Sequence, residues 1–309
     1  MKIITSGSTY IDVDAYACII AYAELLRNQH IEATAISTAI LNESVSMTLR
    51  SWPASIETRY IPSPDDTFTL IDVSDPGHFD KIVDVAKVEK VIDHHPGFED
   101  FWHTRINGNA HIEFIGAACT LVYEYWKTAG LLNEMSGTSA RLLASGILDN
   151  TLNFGANITT QRDIDAYNTL SAHANLPSDW AAQYFKECQE AILSNPVVAA
   201  QNDTKTLKFK SFTQPVSFGQ MAIWDGKHVV AHYENALKNA YKTIGSEWLI
   251  NVISLSDQKS YFITDSPNAQ EWLSKLLYIE FNGSVAIATR PWLRKEILQE
   301  DIASHSGMI

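Results

Sequence analysis

The chain has 309 residues, of which 46% are hydrophobic and 19% are charged, and its formal net charge is -13. This composition is that of an ordinary globular protein long enough for two domains. The acidic balance argues against a nucleic-acid binder, whose affinity depends on clustered Lys and Arg side chains. No stretch approaches about 18 uninterrupted apolar residues, so we expect neither a transmembrane helix nor a membrane partner.

The amino terminus and the cysteines indicate a cytoplasmic protein. The segment Met1-Lys2-Ile3-Ile4-Thr5 is typical of a strand and lacks the extended apolar core and cleavage site of a signal peptide. The cysteines Cys18, Cys119 and Cys188 are few, odd in number and scattered. We therefore expect a reduced protein in which each Cys is buried as a small apolar residue.

The first half of the chain alternates predicted strands and helices. The apolar pattern predicts strands at 2–6, 31–39, 56–60, 68–73, 88–92 and 112–114. It predicts helices at 15–28, 44–52, 116–130 and 139–148. Strands and helices that alternate with short connections indicate an α/β fold with a doubly wound parallel sheet.

The pattern changes in the second half. Helices are predicted at 160–172 and 177–193, and Ser194-Asn195-Pro196 then forms a break, because the residue before Pro disfavours helix. Strands are predicted at 205–212, 216–223, 248–254 and 259–264, with helices at 235–244 and 268–276. This predicts an α/β domain over 1–193 and a smaller α+β domain over 194–309.

Carboxylates and imidazoles follow four apolar runs of the first half. Because the carboxyl ends of parallel strands meet at one edge of a sheet, we expect these side chains to share one crevice. Carboxylate and imidazole ligands together suit Mn, Mg, Fe, Co or Zn. The pattern predicts a metal-dependent hydrolase with more than one ion, whose candidate residues are Asp12, Asp14, Asp72, Asp93, His94, His95 and Asp149.

Ordinary structural roles compete with this interpretation. Asp14 precedes a predicted helix and could cap it, because Asp is a preferred capping residue. Asp75 stands before Pro76-Gly77, so a turn suits it better than a metal site, and Asp72 is the stronger ligand candidate.

The order and spacing of the candidate residues resemble the DHH phosphoesterase superfamily, through Asp12-x-Asp14, Asp72, Asp93-His94-His95 and Asp149. Other segments resemble its DHHA2 branch, which holds the manganese-dependent (family II) inorganic pyrophosphatases and the prune-type exopolyphosphatases. These segments are Gly116-Ala117-Ala118-Cys119-Thr120, the run 149–154, Thr159-Thr160-x-x-Asp163, Asp203-x-Lys205 and Arg294-Lys295. The resemblance covers nearly the whole chain and implies hydrolysis of a phosphoanhydride bond.

The resemblance also implies two metal ions, Mn²⁺ or Mg²⁺, with Co²⁺ as a further candidate. One ion would be held by Asp12 and Asp72, and the second by Asp14, Asp72, His94 and Asp149. Catalytic roles would fall to Asp72, Asp93 and His95, of which His95 would contact phosphate. The terminal phosphoryl groups would be bound by Lys205, Arg294 and Lys295.

Two residues depart from the family pattern. Ser8 stands where the pyrophosphatases have a His, so we expect the first ion to bind less tightly and to prefer Mg²⁺. Glu296 stands where the phosphate clamp usually has a second Lys, and its carboxylate would weaken the local positive field. Both changes shift the expected substrate from pyrophosphate toward polyphosphate or another phosphoanhydride.

We therefore predict a hydrolase of inorganic pyrophosphate or short-chain polyphosphate that acts on a small phosphorylated substrate. Two alternatives stay open, a nucleotide phosphodiesterase of the same superfamily and a non-catalytic sensor of a phosphorylated ligand. Ser8 and Glu296 are the features that favour a sensor. A homodimer is also a candidate, since family members often pair through the sheet edge of the first domain.

Overall fold

A computed structural model describes residues 1–54 and 56–306. The chain divides into two compact units, and each has its own sheet. The first holds Met1–Phe154 and Ile158–Tyr184, and the second holds Gly155–Asn157 and the chain from Phe185 onward. The predicted break at Ser194 coincides with the end of a helix, while the predicted domain limits stay a prediction.

The first unit alternates strands and helices along the chain. Its strands are β1 (Lys2–Thr5), β2 (Tyr10–Ile11), β3 (Ala33–Ala35), β4 (Ile40–Leu41), β5 (Thr67–Ile71), β6 (Val88–Asp93) and β7 (Ala110–Ile112). Its helices are α1 (Val13–Asn28), α2 (Met47–Ser51), α3 (Glu99–Ile106), α4 (Ala118–Thr128), α5 (Gly137–Asn150), α6 (Gln161–Ala174) and α7 (Trp180–Ser194), the last of which continues past this unit.

Five strands of the first unit form one sheet in the order β3-β1-β5-β6-β7, and every pairing is parallel. The predicted α/β fold with a parallel sheet is therefore confirmed. The chain leaves β1 toward β3 on one side and later returns to β5 on the other. The strand order thus reverses between β1 and β5, and ligands of such sheets bind outside the carboxyl ends of the strands at this reversal.

The strands on both sides of this reversal are apolar and buried. Leu70 and Val91 lie side by side in β5 and β6, Ile3 lies beside Phe68 in β1 and β5, and Ile3, Leu70 and Val91 are fully buried. Trp102 of α3 packs into the same cluster, and α1 packs against α4 and α5. Strands with both faces covered are typical of parallel sheets.

The second unit is built on a mixed sheet. Its helices are α8 (Pro196–Asn202), α9 (Gly226–Lys242), α10 (Pro267–Leu277) and α11 (Arg294–Ser306). Its strands are β8 (Thr204–Leu207), β9 (Val216–Ile223), β10 (Trp248–Ser254), β11 (Lys259–Ile263), β12 (Phe281–Asn282) and β13 (Val285–Ala288). Their order is β12-β13-β11-β10-β9-β8, in which only β9 and β10 pair in parallel. The predicted α+β character of this part is confirmed.

One predicted strand is wrong. In the segment predicted at 56–60, Glu57 makes a single bridge with Ile36 and no ladder forms. Glu57, Thr58 and Arg59 are exposed, so the segment has too few apolar side chains to bury against the sheet.

Within the residues that the structure describes, no helix combines the length and the apolar character needed to cross a membrane.

Candidate metal centre

Asp72, His94 and His95 meet at the carboxyl ends of β5 and β6. Their ligand atoms lie within 4.8 Å of one another. Nε2 of His94 is 3.2 Å from Oδ1 of Asp72, and Nδ1 of His95 is 3.7 Å from the same oxygen. Asp72 has a positive φ of 60°, which is uncommon for a residue other than glycine and costs conformational energy. The chain therefore accepts local strain to hold this carboxylate in place.

The ring orientation of His94 is set by a backbone carbonyl. Nδ1 lies 3.1 Å from the oxygen of Ile115, to which only an N–H can donate. The lone pair of a neutral ring is then on Nε2, which faces Asp72 and lies 3.6 Å from Oδ2 of Asp14. A lone pair that faces carboxylate oxygens is repelled by them unless a cation or a proton lies between the nitrogen and the oxygens. This set of one imidazole nitrogen and several carboxylate oxygens fits Mn²⁺ or Mg²⁺.

Asp93 holds His95 rather than facing the cluster itself. Its Oδ1 accepts from the backbone N–H of His94 at 2.7 Å and lies 2.9 Å from Nδ1 of His95. Burial alone would raise the pKa of Asp93, but the adjacent His95 keeps that pKa below its ordinary value. About a third of the His95 side chain is exposed, which leaves this imidazole accessible to a ligand.

Asp14 is fully buried and caps a helix other than its own. Its Oδ2 accepts from the backbone N–H of Ala118 at 2.9 Å and its Oδ1 from that of Cys119 at 2.8 Å. These are the first residues of α4, which has no side-chain cap from Ala117. Burial, and then the charge of Asp72, raises the pKa of Asp14 to about 7. The alternative in which Asp14 caps its own helix is therefore wrong.

Asp12 takes that capping role instead. Its Oδ1 accepts from the backbone N–H of Ala15 at 3.0 Å and so caps α1. A carboxylate has further lone pairs, so this bond leaves Asp12 able to bind a cation. The turn role expected for Asp75 is confirmed, since it accepts from the N–H of Gly77 at 2.8 Å.

Asp149 lies in the last turn of α5 and not at the end of a strand. A carboxylate at the carboxyl end of a helix is disfavoured by the helix dipole. The hydroxyl of Tyr184 lies 2.9 Å from Oδ1 of Asp149 and 2.9 Å from the backbone oxygen of Ser44. Tyr184 is fully buried and fixes one oxygen of Asp149. No sequence pattern indicated this partner.

Two cysteines complete the surroundings of Asp14. The Sγ atoms of Cys18 and Cys119 are 3.5 Å apart, and Sγ of Cys18 is 3.7 Å from Oδ1 of Asp14. Cys18, Cys119 and Cys188 are all buried, as expected. Their scattered positions in the sequence gave no sign that two of them would meet beside a candidate ligand.

The predicted helix start at Gly116 and the Thr-x-x-Asp segment meet at Asp163. Its carboxylate accepts from Thr120 Oγ1 at 2.5 Å, from the N–H of Thr160 at 2.8 Å and from the N–H of Gly116 at 3.3 Å. With Thr160 it forms a capping box at the start of α6. In this structure Asp163 joins α4 to α6.

The predicted phosphate ligands lie in the second unit, Lys205 in β8 and Arg294 and Lys295 at the start of α11. Arg294 donates from Nη2 to Oδ1 of Asp203 at 2.6 Å and from Nη1 to the backbone oxygen of Phe218 at 2.9 Å. Its charge is therefore largely balanced by Asp203, and its side chain is about nine-tenths buried.

Glu296 is tied into the second unit by bonds that a Lys could not make. Its carboxylate accepts from the backbone N–H of Leu293 at 2.7 Å and from that of Asn157 at 3.0 Å. It also lies 3.3 Å from Nη1 of Arg290. Glu296, which departs from the family pattern, thus stabilises the start of α11.

Residues 2–147 match the family model described as the DHH family, N-terminal domain. The resemblance to the DHH family is confirmed. Among curated relatives of this chain, a "Probable manganese-dependent inorganic pyrophosphatase" of Bacillus licheniformis is 25% identical over 58% of the chain and 57% of its own length. One of the same name from Deinococcus radiodurans is 27% identical over 67% of the chain and 66% of its own length. The matches thus span only about three fifths of these relatives.

Solved structures resemble nearly the whole chain in fold. A crystal structure described as a "putative family II inorganic pyrophosphatase" of Methanococcus jannaschii covers 99% of this chain and 100% of its own, with a TM-score of 0.73 and 16% identity. An exopolyphosphatase-related protein of Bacteroides fragilis covers 99% of this chain and 92% of its own, with a TM-score of 0.52 and 14% identity. At such identities the likeness concerns the fold alone.

Proposed function

We propose that this protein is a metal-dependent hydrolase of phosphoanhydride bonds, with inorganic pyrophosphate or short-chain polyphosphate as its substrate. The observation that carries the proposal is the buried group formed by His94 Nε2 with the carboxylates of Asp72 and Asp14. It lies where the strand order of the sheet reverses, in a chain that is similar to proteins named "Probable manganese-dependent inorganic pyrophosphatase".

Mn²⁺ or Mg²⁺ is the proposed cofactor, and two ions are proposed. One would be held by Asp12 and Asp72, and the other by Asp14, Asp72, His94 and Asp149, as the family resemblance implies. When bound, such ions supply Lewis acidity, lower the pKa of water and neutralise phosphoryl oxygens. The backbone conformation of Asp72 and the hydrogen bond of the His94 ring keep these two side chains oriented even when no ion is bound.

His95 is the proposed contact to the phosphoryl group. Its Nδ1 is held by Asp93 and its side chain is partly exposed, so the ring is oriented and accessible at once. Asp93 acts on the substrate only through His95 and is better described as a positioning residue. The roles of Lys205, Arg294 and Lys295 as phosphate ligands stay predictions.

Phosphate release by the purified, metal-stripped protein tests the proposal. Pyrophosphate, tripolyphosphate, longer polyphosphate and a linear dinucleotide would each be offered with Mn²⁺, Mg²⁺ or Co²⁺. We expect metal-dependent release from pyrophosphate or tripolyphosphate. Cleavage of the dinucleotide alone, measured by chromatography as mononucleotide because this cleavage frees no inorganic phosphate, would replace the proposal with a phosphodiesterase. A protein that binds metal but hydrolyses none of the substrates would favour a sensor.

A matched pair of histidine variants ties any activity to this site. His94→Gln removes the imidazole that faces Asp72, whereas His78→Gln changes a half-exposed ring paired with Asp75. We expect His94→Gln to lose at least about 100-fold in rate, with circular dichroism unchanged, and His78→Gln to behave like the parent. Equal activity in the two variants would contradict the assignment.

A further inference from the structure

The two carboxylate oxygens of Asp14 face different kinds of ligand atom, one an imidazole nitrogen and the other a thiol sulfur. Oδ2 lies 3.6 Å from Nε2 of His94, on the side of the proposed hard-metal site. Oδ1 lies 3.7 Å from Sγ of Cys18, and Sγ of Cys119 is 3.5 Å from Sγ of Cys18. One ligand atom from each of Asp14, Cys18 and Cys119 lies within 4.8 Å of the others. All three residues are fully buried.

We propose that Cys18, Cys119 and Asp14 form a second, soft metal site that binds a thiophilic divalent ion such as Zn²⁺ or Cd²⁺. Thiolate sulfur selects such ions over Mg²⁺ and Mn²⁺, which prefer oxygen. The site is distinct from the proposed hydrolytic centre and shares only Asp14 with it. The inference does not depend on the hydrolase activity.

The distances between the donor atoms suit a tetrahedral ion. Bonds of about 2.3 Å to sulfur and about 2.0 Å to oxygen place two sulfurs about 3.8 Å apart and a sulfur and an oxygen about 3.5 Å apart. The measured separations are 3.5 Å between the sulfurs and 3.7 Å from Cys18 Sγ to Asp14 Oδ1. The backbone oxygen of Asp14, 3.7 Å from Cys119 Sγ, is a candidate fourth ligand. Little movement of the side chains is needed.

The helices around the pair hold these donors together. Cys18 and Asp14 are one turn apart on α1, and Cys119 is in the first turn of α4. Gly146 of α5 faces them, and a Cβ at this position would lie 2.5 Å from Cys119 Sγ and 3.4 Å from Asp14 Oδ1. The glycine therefore leaves space beside two of the proposed ligands.

Binding of such an ion has two consequences. The thiols bind as thiolates, so about two protons are released to the buffer for each ion bound. An ion on Oδ1 also draws charge from Asp14, whose Oδ2 faces His94. Zn²⁺ or Cd²⁺ should therefore weaken the binding of Mn²⁺ at the neighbouring site.

Cobalt absorption tests the proposal on the full chain. The reduced, metal-stripped protein would be titrated with Co²⁺, because coordination by thiolate gives a charge-transfer band in the near ultraviolet that oxygen and nitrogen ligands do not give. Cd²⁺ would then be added to displace the cobalt. The variants are Cys18→Ala and Cys119→Ala, and Cys188→Ala is the matched control, because it removes the third buried thiol.

We expect the wild type and Cys188→Ala to show the band and to lose it when Cd²⁺ is added. In Cys18→Ala and Cys119→Ala the band should fall by about half or more, since each variant removes one of two thiolate ligands. Absence of the band in the reduced wild type overturns the proposal whether or not the variants fold. Full intensity in either variant, or loss in Cys188→Ala, also overturns it. A wild type that shows the band but hydrolyses no phosphoanhydride would refute the proposed function and leave this inference standing.

Discussion

At the residue scale, Asp72 is the carboxylate on which the proposed centre depends most. Its Oδ1 faces both His94 and His95, and its backbone has a positive φ of 60°. Asn is among the residues that tolerate this conformation best, so a change to Asn removes the charge and keeps the backbone. Removal of charge and loss of fold can thus be separated at this position.

We expect Asp72→Asn to lower phosphate release by at least about 100-fold with little change in the thermal unfolding temperature, because it removes the charge proposed to bridge both ions. Steady-state kinetics at saturating Mn²⁺ would measure the effect. Asp75→Asn is the matched control, since Asn can make the same turn bond to the N–H of Gly77. Near-parental turnover in Asp72→Asn would refute the bridging role.

Tyr184 acts on the site through Asp149. Tyr184→Phe removes the hydroxyl that lies 2.9 Å from Oδ1 of Asp149, and loss of such a partner of a metal ligand typically weakens metal binding about 10- to 100-fold. Calorimetric titration with Mn²⁺ would measure this. Tyr60→Phe provides the control, because it breaks a 2.8 Å bond from a Tyr to Asp66, which is not a candidate ligand. Equal affinity in the two variants would remove Asp149 from the ligand set.

At the element scale, the sequence predicts best the elements that bury the most. The strands predicted at 216–223 and 248–254 coincide with β9 and β10, which are interior strands of their sheet and pair on both sides. Helices α3 and α11 were missed, because the charged residues of 99–106 and 294–306 show little apolar periodicity. Their positions depend on contacts with distant parts of the chain, as when Trp102 packs against the sheet.

The site itself could be predicted only in part. The carboxyl ends of β1, β5 and β6 follow from the strand pattern, and so do Asp14, Asp72 and His94 beside them. The bonds from Tyr184 to Asp149 and from Ala118 to Asp14 join residues 35 and 104 positions apart. Such pairings are set by how helices pack, which a local pattern does not encode. The predictions for Lys205 and Lys295 rest on the family resemblance and stay untested.

The junction of α4 and α6 gives a prediction about stability. Gly116→Ala would place a Cβ 2.5 Å from Oδ2 of Asp163, whose carboxylate is held in place by several bonds. We expect a loss of about 1–3 kcal/mol in the free energy of unfolding, measured in urea. Gly137→Ala, where the nearest side-chain atom is 3.6 Å away, should be neutral or slightly stabilising. Equal effects of the two changes on the free energy of unfolding would mean that the Asp163 side chain moves away from the added Cβ at little cost.

At the scale of the whole molecule, the buried Asp14 links pH to stability. Burial raises its pKa from 3.8 to about 7 in the metal-free folded chain, while the unfolded chain keeps the lower value. Between these values the folded state holds a proton that the unfolded state has lost. The contribution of Asp14 to stability is therefore fully present below about pH 4 and is lost as the pH rises toward 7.

We expect the metal-free protein to lose stability relative to Asp14→Asn as the pH rises from 4 to 7, because Asn does not titrate. Urea unfolding of both proteins across this range, in the presence of a chelator, would measure the difference. Mn²⁺ should oppose the loss, because an ion that binds only the folded state stabilises it. Parallel pH curves for the two proteins would show that Asp14 titrates normally.

Two backbone amides at the start of α4 can report whether an ion is bound to Asp14. The N–H groups of Ala118 and Cys119 donate to its two oxygens at 2.9 and 2.8 Å. Any ion that takes electron density from this carboxylate weakens its acceptance of those hydrogens, so the two amide resonances should move when metal binds. Because Oδ2 pairs with Ala118 and Oδ1 with Cys119, an ion beside His94 and an ion beside the thiols should shift the two signals by different amounts. A nuclear magnetic resonance spectrum could then tell which neighbour of Asp14 is occupied without any measurement of turnover.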